Sequence, residues 1–140
     1  MILKVKKLKA SAKLPKYHHP GDVGMDLYST EEVTVNPGER HFFWHGFALQ
    51  FPEGYAAIVM DKSSIGKLGF VHLGGVFDAG YRGEYNTCLA NLSDKPYTFE
   101  VGDKVSQLVI VPVIIGKIKE VKKLSESARG EGKFGSTGKK

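Results

Sequence analysis

The sequence predicts a single all-β domain. The chain has 140 residues, of which 41% are hydrophobic, so it is long enough for one buried core and too short for two domains. Its 17 glycines fall mostly between short apolar segments, which favours strands and turns over a helical bundle. Turn signals such as Asn36-Pro37-Gly38 and Pro52-Glu53-Gly54 recur about every eight to twelve residues, the spacing typical of a sandwich or barrel.

Alternation of apolar and polar residues defines the predicted elements. The segment 105–113 is almost wholly apolar, as expected of a strand that is buried on both faces. Residues 63–68 are predicted to form a short helix. Residues 117–128 are ambiguous, because Ile118, Val121 and Leu124 fit a helical period although the segment is rich in β-branched residues. The predicted strands are 32–35, 41–44, 47–51, 55–60, 85–92, 97–101 and 105–113.

The formal charge of +5 is concentrated at the two ends of the chain. Residues 1–16 carry six lysines and no acid, residues 17–116 carry six basic and twelve acidic side chains, and residues 117–140 carry eight basic and three acidic ones. A nucleic-acid-binding protein more often carries its basic stripe on folded elements with aromatic residues between, so we expect no stable nucleic-acid binding. The basic C-terminal segment is either a solvated end or an arm that meets a small polyanion.

Several classes of protein are disfavoured by composition. No apolar run approaches the ~20 residues needed to span a bilayer, and the N-terminus lacks the apolar region of a signal peptide, so we expect a cytoplasmic protein without membrane contact. Cys88 is the only cysteine, which excludes an intramolecular disulfide and predicts a core thiol. His41 and His45 have no visible third ligand for zinc, and His18 and His19 precede a proline and are assigned to a loop.

Five segments carry residues suited to binding or catalysis, and each alone also has a purely structural interpretation. The second could be a helix N-terminus capped by serine, although such a start also offers N–H groups to a phosphate. The third could be an ordinary glycine-rich hairpin, and in the fourth a buried Gln107 would need a polar partner. In order, the segments are 24–29 (GMDLYS), 62–66 (KSSIG), 74–83 (GGVFDAGYRG), 102–107 (GDKVSQ) and 129–138 (RGEGKFGSTG).

Together, in order and spacing, these segments resemble the five motifs of the homotrimeric dUTPase family, over residues 21–138. The resemblance implies an all-β, jelly-roll-like distorted β-barrel over residues 1–128, with one short helix, and a flexible glycine-rich arm over residues 129–140 that closes the active site. It implies a homotrimer with shared active sites and Mg²⁺ as cofactor. The implied reaction is hydrolysis of dUTP to dUMP and pyrophosphate, which limits uracil incorporation into DNA and supplies dUMP for dTMP synthesis.

The resemblance also implies a role for individual residues. Asp78 would be the catalytic base that activates water for attack on the α-phosphorus, and Asp26 would orient the metal through bound water. Tyr81 would lie against the deoxyribose, and a hairpin over residues 73–77 would read uracil through its main chain, since glycine permits close approach. The other implied substrate-binding residues are Lys62, Ser63, Ser64, His72, Gly75, Val76, Phe77, Gln107, Arg129, Phe134, Gly135, Ser136 and Thr137.

The chain departs from the family pattern at two places. Asp61-Lys62-Ser63-Ser64 stands where the family usually has Pro-Arg-Ser-Gly, so the planar fork of an arginine is lost, and Lys133 replaces a usual glycine of the arm. The second and third segments also resemble dCTP deaminases, but strand 85–92 lacks the deaminating glutamate. Deamination is therefore the runner-up. A dUTP-binding protein without activity would not need Asp78, and a purely structural subunit would leave residues 129–138 unexplained.

Overall fold

A computed structural model describes residues 1–133, which form eleven strands and one short helix. Residues 134–140 lie outside the described part of the chain. No helix within residues 1–133 is long and apolar enough to cross a membrane. The elements are β1 (Lys4–Lys7), β2 (Gly24–Tyr28), β3 (Val33–Val35), β4 (Arg40–Trp44), β5 (Phe47–Gln50), β6 (Tyr55–Met60), α1 (Ser63–Gly66), β7 (Phe70–Leu73), β8 (Val76–Asp78), β9 (Asn86–Asn91), β10 (Tyr97–Phe99) and β11 (Lys104–Pro112).

The strands form four antiparallel sheets, and in the described residues these do not close into one barrel. The largest sheet has the order β2-β11-β6-β8, and a second sheet has the order β4-β9-β7. Two-stranded ladders join β1 to β5 and β10 to β3. The long apolar strand β11 pairs on both edges, with β2 and with β6. Burial on both faces was expected along the whole strand, but only Val105, Ser106 and Leu108 are buried.

Two hydrophobic clusters hold the sheets together. One packs Leu27, Val59 and Leu108 from the largest sheet against Phe47 and Tyr85. The other cluster contains Phe43, Phe70, Leu89, Phe99 and Val105. Cys88 is buried and burial raises the pKa of its thiol, so the prediction of a core cysteine is confirmed.

The structure differs from the predicted elements at the helix and at four strands, β1, β2, β7 and β8, that lie outside the predicted ranges. The helix ends at Gly66 rather than at residue 68, and its N-cap is Lys62, with no side-chain cap, rather than a serine. Strand β1 shows no strand pattern in the sequence, because only Val5 among its four residues is apolar. It forms because its backbone hydrogen-bonds to β5. Residues 113–127 form neither a helix nor a strand and are mostly exposed.

A buried polar chain links His45, in the turn between β4 and β5, to β2, β9 and β11. His45 is 1% exposed; its Nδ1 lies 2.8 Å from the Tyr28 carbonyl oxygen and its Nε2 lies 2.8 Å from Thr87 Oγ1. Thr87 Oγ1 in turn lies 2.7 Å from Ser106 Oγ. A carbonyl only accepts, so Nδ1 donates, and Nε2 of the neutral ring accepts from Thr87. Burial lowers the pKa of His45 to about 4, which keeps the ring neutral in the folded protein.

We expect the folded protein to lose stability as the pH falls from about 6.5 towards 4. In the unfolded chain His45 takes up its proton near pH 6.5, whereas in the folded chain it does so only near pH 4. The stabilisation from a neutral His45 is therefore complete above pH 6.5, and its loss by pH 4 is on the order of 3 kcal/mol. Denaturant unfolding at fixed protein concentration measures this slope. His45→Asn should flatten it, whereas His19→Asn, at an exposed histidine, should leave it unchanged; an unchanged slope in His45→Asn would contradict the assignment.

Candidate active site

A buried carboxylate organises the first part of the site. Asp26 is 5% exposed and lies on β2, directly opposite Gln107 of β11. Its Oδ1 is 2.9 Å from Lys62 Nζ, and its Oδ2 is 2.7 Å from Lys104 Nζ and 2.9 Å from His18 Nε2. Burial alone would raise the pKa of Asp26, but hydrogen bonds and charges from Lys104 and Lys62 outweigh it and hold the pKa below its usual value. Asp26 is therefore an ionised carboxylate held among three donors.

An open cavity of about 430 Å³ lies over this cluster. Its wall carries two ammonium groups, of Lys62 and Lys104, and two carboxylates, of Asp22 and Asp26. These charges balance formally, so an anion would be attracted by the placement of the ammonium groups and not by a net charge of the wall. Gln107 lines the same cavity, and its Nε2 donates to the Asp61 carbonyl oxygen at 2.9 Å, which confirms that this glutamine has a polar partner. A Cβ at Gly24 would overlap Gln107 Oε1, so the glycine leaves room for that side chain. Ser63 and Ser64 follow Lys62 and are exposed at the start of α1.

Asp61 joins this cavity to β7. Its Oδ1 accepts from the main-chain N–H of His72 at 2.9 Å and lies 2.9 Å from His72 Nδ1. Asp61 is one of the departures from the family pattern, and no role was predicted for it. Here its carbonyl orients Gln107 and its carboxylate orients His72.

The glycine turn after His72 connects two sheets. Gly74 and Gly75 have φ of +78° and +93°, which side chains rarely adopt, and a Cβ at Gly75 would lie 2.8 Å from Val59 Cβ. The Gly75 carbonyl accepts from the Val59 N–H at 2.7 Å. The prediction of a hairpin over residues 73–77 is wrong, because β7 pairs with β9 and β8 pairs with β6. The turn nevertheless brings the main chain of Gly75 close to β6.

The second part of the site lies at the end of β8. The Asp78 side chain is exposed, and its carbonyl accepts from the Tyr81 N–H at 3.0 Å in a tight turn. Arg82 Nη1 closes this turn by donating to the Ala79 and Tyr81 carbonyls at 2.6 and 2.8 Å. Beneath it, the Phe77 ring stacks on Tyr85 with centroids 4.3 Å apart, and the half-exposed Tyr81 ring lies 5.5 Å from Phe77. Val76 is exposed beside them on β8.

The sheet keeps these two parts of the site apart within one chain. Asp78 pairs with Ala56 of β6, whereas Gln107 pairs with Met60, four residues along the same strand. Four residues along a strand and two strand spacings together separate Asp78 from Gln107 by roughly 16 Å. Arg129 is exposed and its Nε donates to the Gly132 carbonyl at 3.2 Å. Phe134, Gly135, Ser136 and Thr137 lie outside the described residues.

Comparison with known proteins identifies the family. The dUTPase family model matches residues 10–138. The chain is 46% identical to the deoxyuridine 5'-triphosphate nucleotidohydrolase of Clostridium tetani, over 98% of this chain and 97% of that protein. The chain belongs to the dUTPase family.

Solved dUTPases share its architecture. A mutant dUTPase of Staphylococcus bacteriophage 80alpha with dUpNHpp matches with a TM-score of 0.88 and 30% identity, over 98% of each chain. A mutant dUTPase from phage phi11 of S. aureus, described with a structural Mg(II) ion, matches with a TM-score of 0.83 and 26% identity, over 90% of this chain and 100% of that one. The expected all-β, jelly-roll-like fold is thus confirmed.

Two of the side chains that contact Asp26 were missed by the sequence analysis. Lys104 lies inside the fourth dUTPase motif, but only the irregular register between Lys104 and Ser106 shows that it reaches Asp26. His18 does lie in a loop, as expected, yet its ring points to Asp26 rather than to solvent. The one available signal was a histidine pair eight residues before the carboxylate, and no local rule connects the two.

Proposed function

We propose that this protein, a dUTP diphosphatase by its family, hydrolyses dUTP to dUMP and pyrophosphate with Asp78 as general base. The observation that carries the proposal is an exposed Asp78 carboxylate, which no side chain in residues 1–133 engages, beside the Phe77–Tyr81 aromatic surface. A base that must take a proton from water has to be free to accept it. The product would supply dUMP for dTMP synthesis, and removal of dUTP would limit uracil incorporation into DNA.

The cavity over Asp26 is proposed to bind the phosphates. Lys62 supplies an ammonium group, Gln107 a side-chain amide and Ser63 a hydroxyl, and all are at or next to the cavity wall. His72, Gly75 and Val76 surround the turn that would read the base, and Tyr81 would lie against the deoxyribose and exclude a 2′-hydroxyl. Strand β9 carries no carboxylate that could move protons at the pyrimidine C4, so nothing favours deamination.

The residues of the Asp26 cavity suit a Mg²⁺ ion that is bound through water and substrate phosphates. Mg²⁺ usually keeps several waters and binds through one or two carboxylates together with substrate phosphates. Asp26 offers one carboxylate, and residues 1–133 contain no group of three or more potential ligands. We therefore propose that Mg²⁺ arrives with the triphosphate and that Asp26 holds it through bound water. When bound, the ion would neutralise negative charge on the phosphates.

The active site is proposed to form between subunits of a homotrimer. Asp78 and Gln107 of one chain are roughly 16 Å apart by strand geometry, too far to act on one phosphate chain from opposite ends. After β11 the chain also exposes Ile114 by 99% and Ile115 by 84%, and Ile118 and Leu124 are similarly uncovered. Contiguous exposed apolar residues indicate a surface that another chain covers. The arm over residues 129–140, with Arg129 and Phe134, is proposed to close each site.

Replacing Asp78 by Asn should lower dUTP turnover by about 10²–10⁴-fold, because the amide cannot accept the proton of the attacking water. Binding of dUpNHpp should persist, because the shape of the side chain is retained. Pyrophosphate and ammonia release with dUTP, dCTP, dTTP and UTP, with and without Mg²⁺, measures both activity and selectivity. Asp94→Asn, at an exposed turn carboxylate, is the matched control. Near-normal turnover by Asp78→Asn would remove Asp78 from the mechanism.

The purified protein should have the mass of three chains at micromolar concentration, because a single chain neither covers its apolar segment nor completes its site. Light scattering or native mass spectrometry of an active sample measures this. An active sample that contains only monomer would disprove the shared site.

Deleting residues 129–140 should leave the fold and the trimer intact while turnover falls steeply. The deletion removes a net charge of +3 and the proposed contacts of Arg129, Ser136 and Thr137 with phosphate. Phe134→Ala should do less damage, since it removes only stacking on the base. A chain that lacks only Lys139 and Lys140 is the control for charge. Full turnover by the truncated protein would show that the segment is only a solvated end.

A further inference from the structure

The loop before β2 fixes a histidine against the buried carboxylate of the cavity. His18 Nε2 lies 2.9 Å from Asp26 Oδ2 and 3.3 Å from the Tyr28 hydroxyl. His18 is not among the motif residues that the family resemblance assigns to the site. Its position therefore needs a separate explanation.

The loop itself holds the imidazole in place. Asp22 Oδ2 accepts from the main-chain N–H groups of His18 at 3.1 Å and of His19 at 2.8 Å. At the start of the loop, the Lys16 carbonyl accepts from the Asp26 N–H at 3.1 Å. Both ends of the loop are thus tied down, and the His18 ring reaches Asp26 from a fixed backbone.

The donors divide unequally between the two oxygens of Asp26. Oδ2 accepts hydrogen bonds from Lys104 and His18, whereas Oδ1 accepts one only from Lys62. A carboxylate oxygen has no hydrogen to give, so His18 Nε2 donates the hydrogen bond and Asp26 Oδ2 accepts it. Lys62 is also the side chain that the proposed function assigns to phosphate. When Lys62 turns to a phosphate, Oδ1 loses its partner and Oδ2 keeps both of its donors.

We propose that His18 is a positioning residue. Together with Lys104 it anchors Oδ2, so that Oδ1 keeps its orientation and can exchange Lys62 for metal-bound water. The imidazole is rigid, whereas the Lys104 ammonium sits on a long flexible stem, so lysine alone would leave the carboxylate free to rotate. Such outer partners typically change metal affinity or activity by 10–100-fold. The inference rests on the proposed function, because it concerns Mg²⁺-assisted binding of the nucleotide at this cavity.

Calorimetric titration with dUpNHpp, with and without Mg²⁺, tests this role in His18→Ala, His18→Gln and His19→Ala. We expect His18→Ala to weaken binding in the presence of Mg²⁺ by about tenfold, and to change binding without Mg²⁺ far less. His18→Gln, whose amide restores a donor, should recover most of the loss. His19 is the matched control, because its ring contacts Asp22 at 3.6 Å and not Asp26. Turnover of dUTP by His18→Ala should fall, with a higher Mg²⁺ requirement.

Equal loss with and without Mg²⁺, no loss at all, or failure of the glutamine to restore binding would overturn the proposal. A crystal structure of free His18→Ala tests the same idea without nucleotide: the Asp26 carboxylate should rotate away from its present contacts with the two lysines, and an unchanged carboxylate would also overturn it. Absence of dUTP turnover in the unmodified protein would instead refute the proposed function. The crystal structure of free His18→Ala would then still decide whether His18 positions the Asp26 carboxylate.

Discussion

The double pairing of β11 is the constraint on which the rest of the site depends. Because β11 lies between β2 and β6, its register fixes Gln107 opposite both Asp26 and Met60. The irregularity between Lys104 and Ser106 then turns the Lys104 ammonium to the same carboxylate. A shift by one residue would turn every side chain of this strand to the opposite face, and Gln107 would no longer lie opposite Asp26. Core packing and the charge arrangement of the cavity are therefore determined by one register.

The Asp26 cluster is better explained by binding than by stability. Removing a carboxylate from water is costly, and its pairing with two lysines offsets that cost without a large net gain. The cluster does, however, preorganise two ammonium groups at the wall of an open cavity. Residues 17–116 carry twelve acidic and six basic side chains, so the surrounding domain is acidic. A polyanion in the cavity would therefore interact with these two placed ammonium groups and not with the net charge of the chain.

The features that the sequence predicts depend on local composition, whereas the features that it misses depend on contacts between residues far apart in the chain. The strand near 105–113, the buried Cys88 and the polar partner of Gln107 follow from local composition. The structure confirms the strand and the buried thiol, although only Val105, Ser106 and Leu108 of β11 are buried. Strand β1 exists because of a partner more than forty residues away, and the sheet assignment of β7 and β8 depends on β9 and β6. The contact between His18 and Asp26 likewise requires a loop whose path is set by Asp22. Apolar periodicity contains no information about such contacts.

The geometry of the largest sheet also connects activity to assembly. Asp78 and Gln107 lie on the same face of this sheet, since Ala56 and Met60, their partners on β6, are an even number of residues apart. A neighbouring copy related by rotation can therefore bring its Asp78 towards the first copy's cavity while offering its own cavity to a third. Such a head-to-tail contact closes into a ring when the rotation fits. Under the proposed trimer, Asp78 at one end of the sheet and the Asp26 cavity at the other would make each chain half of two different sites, and catalysis would then require the ring.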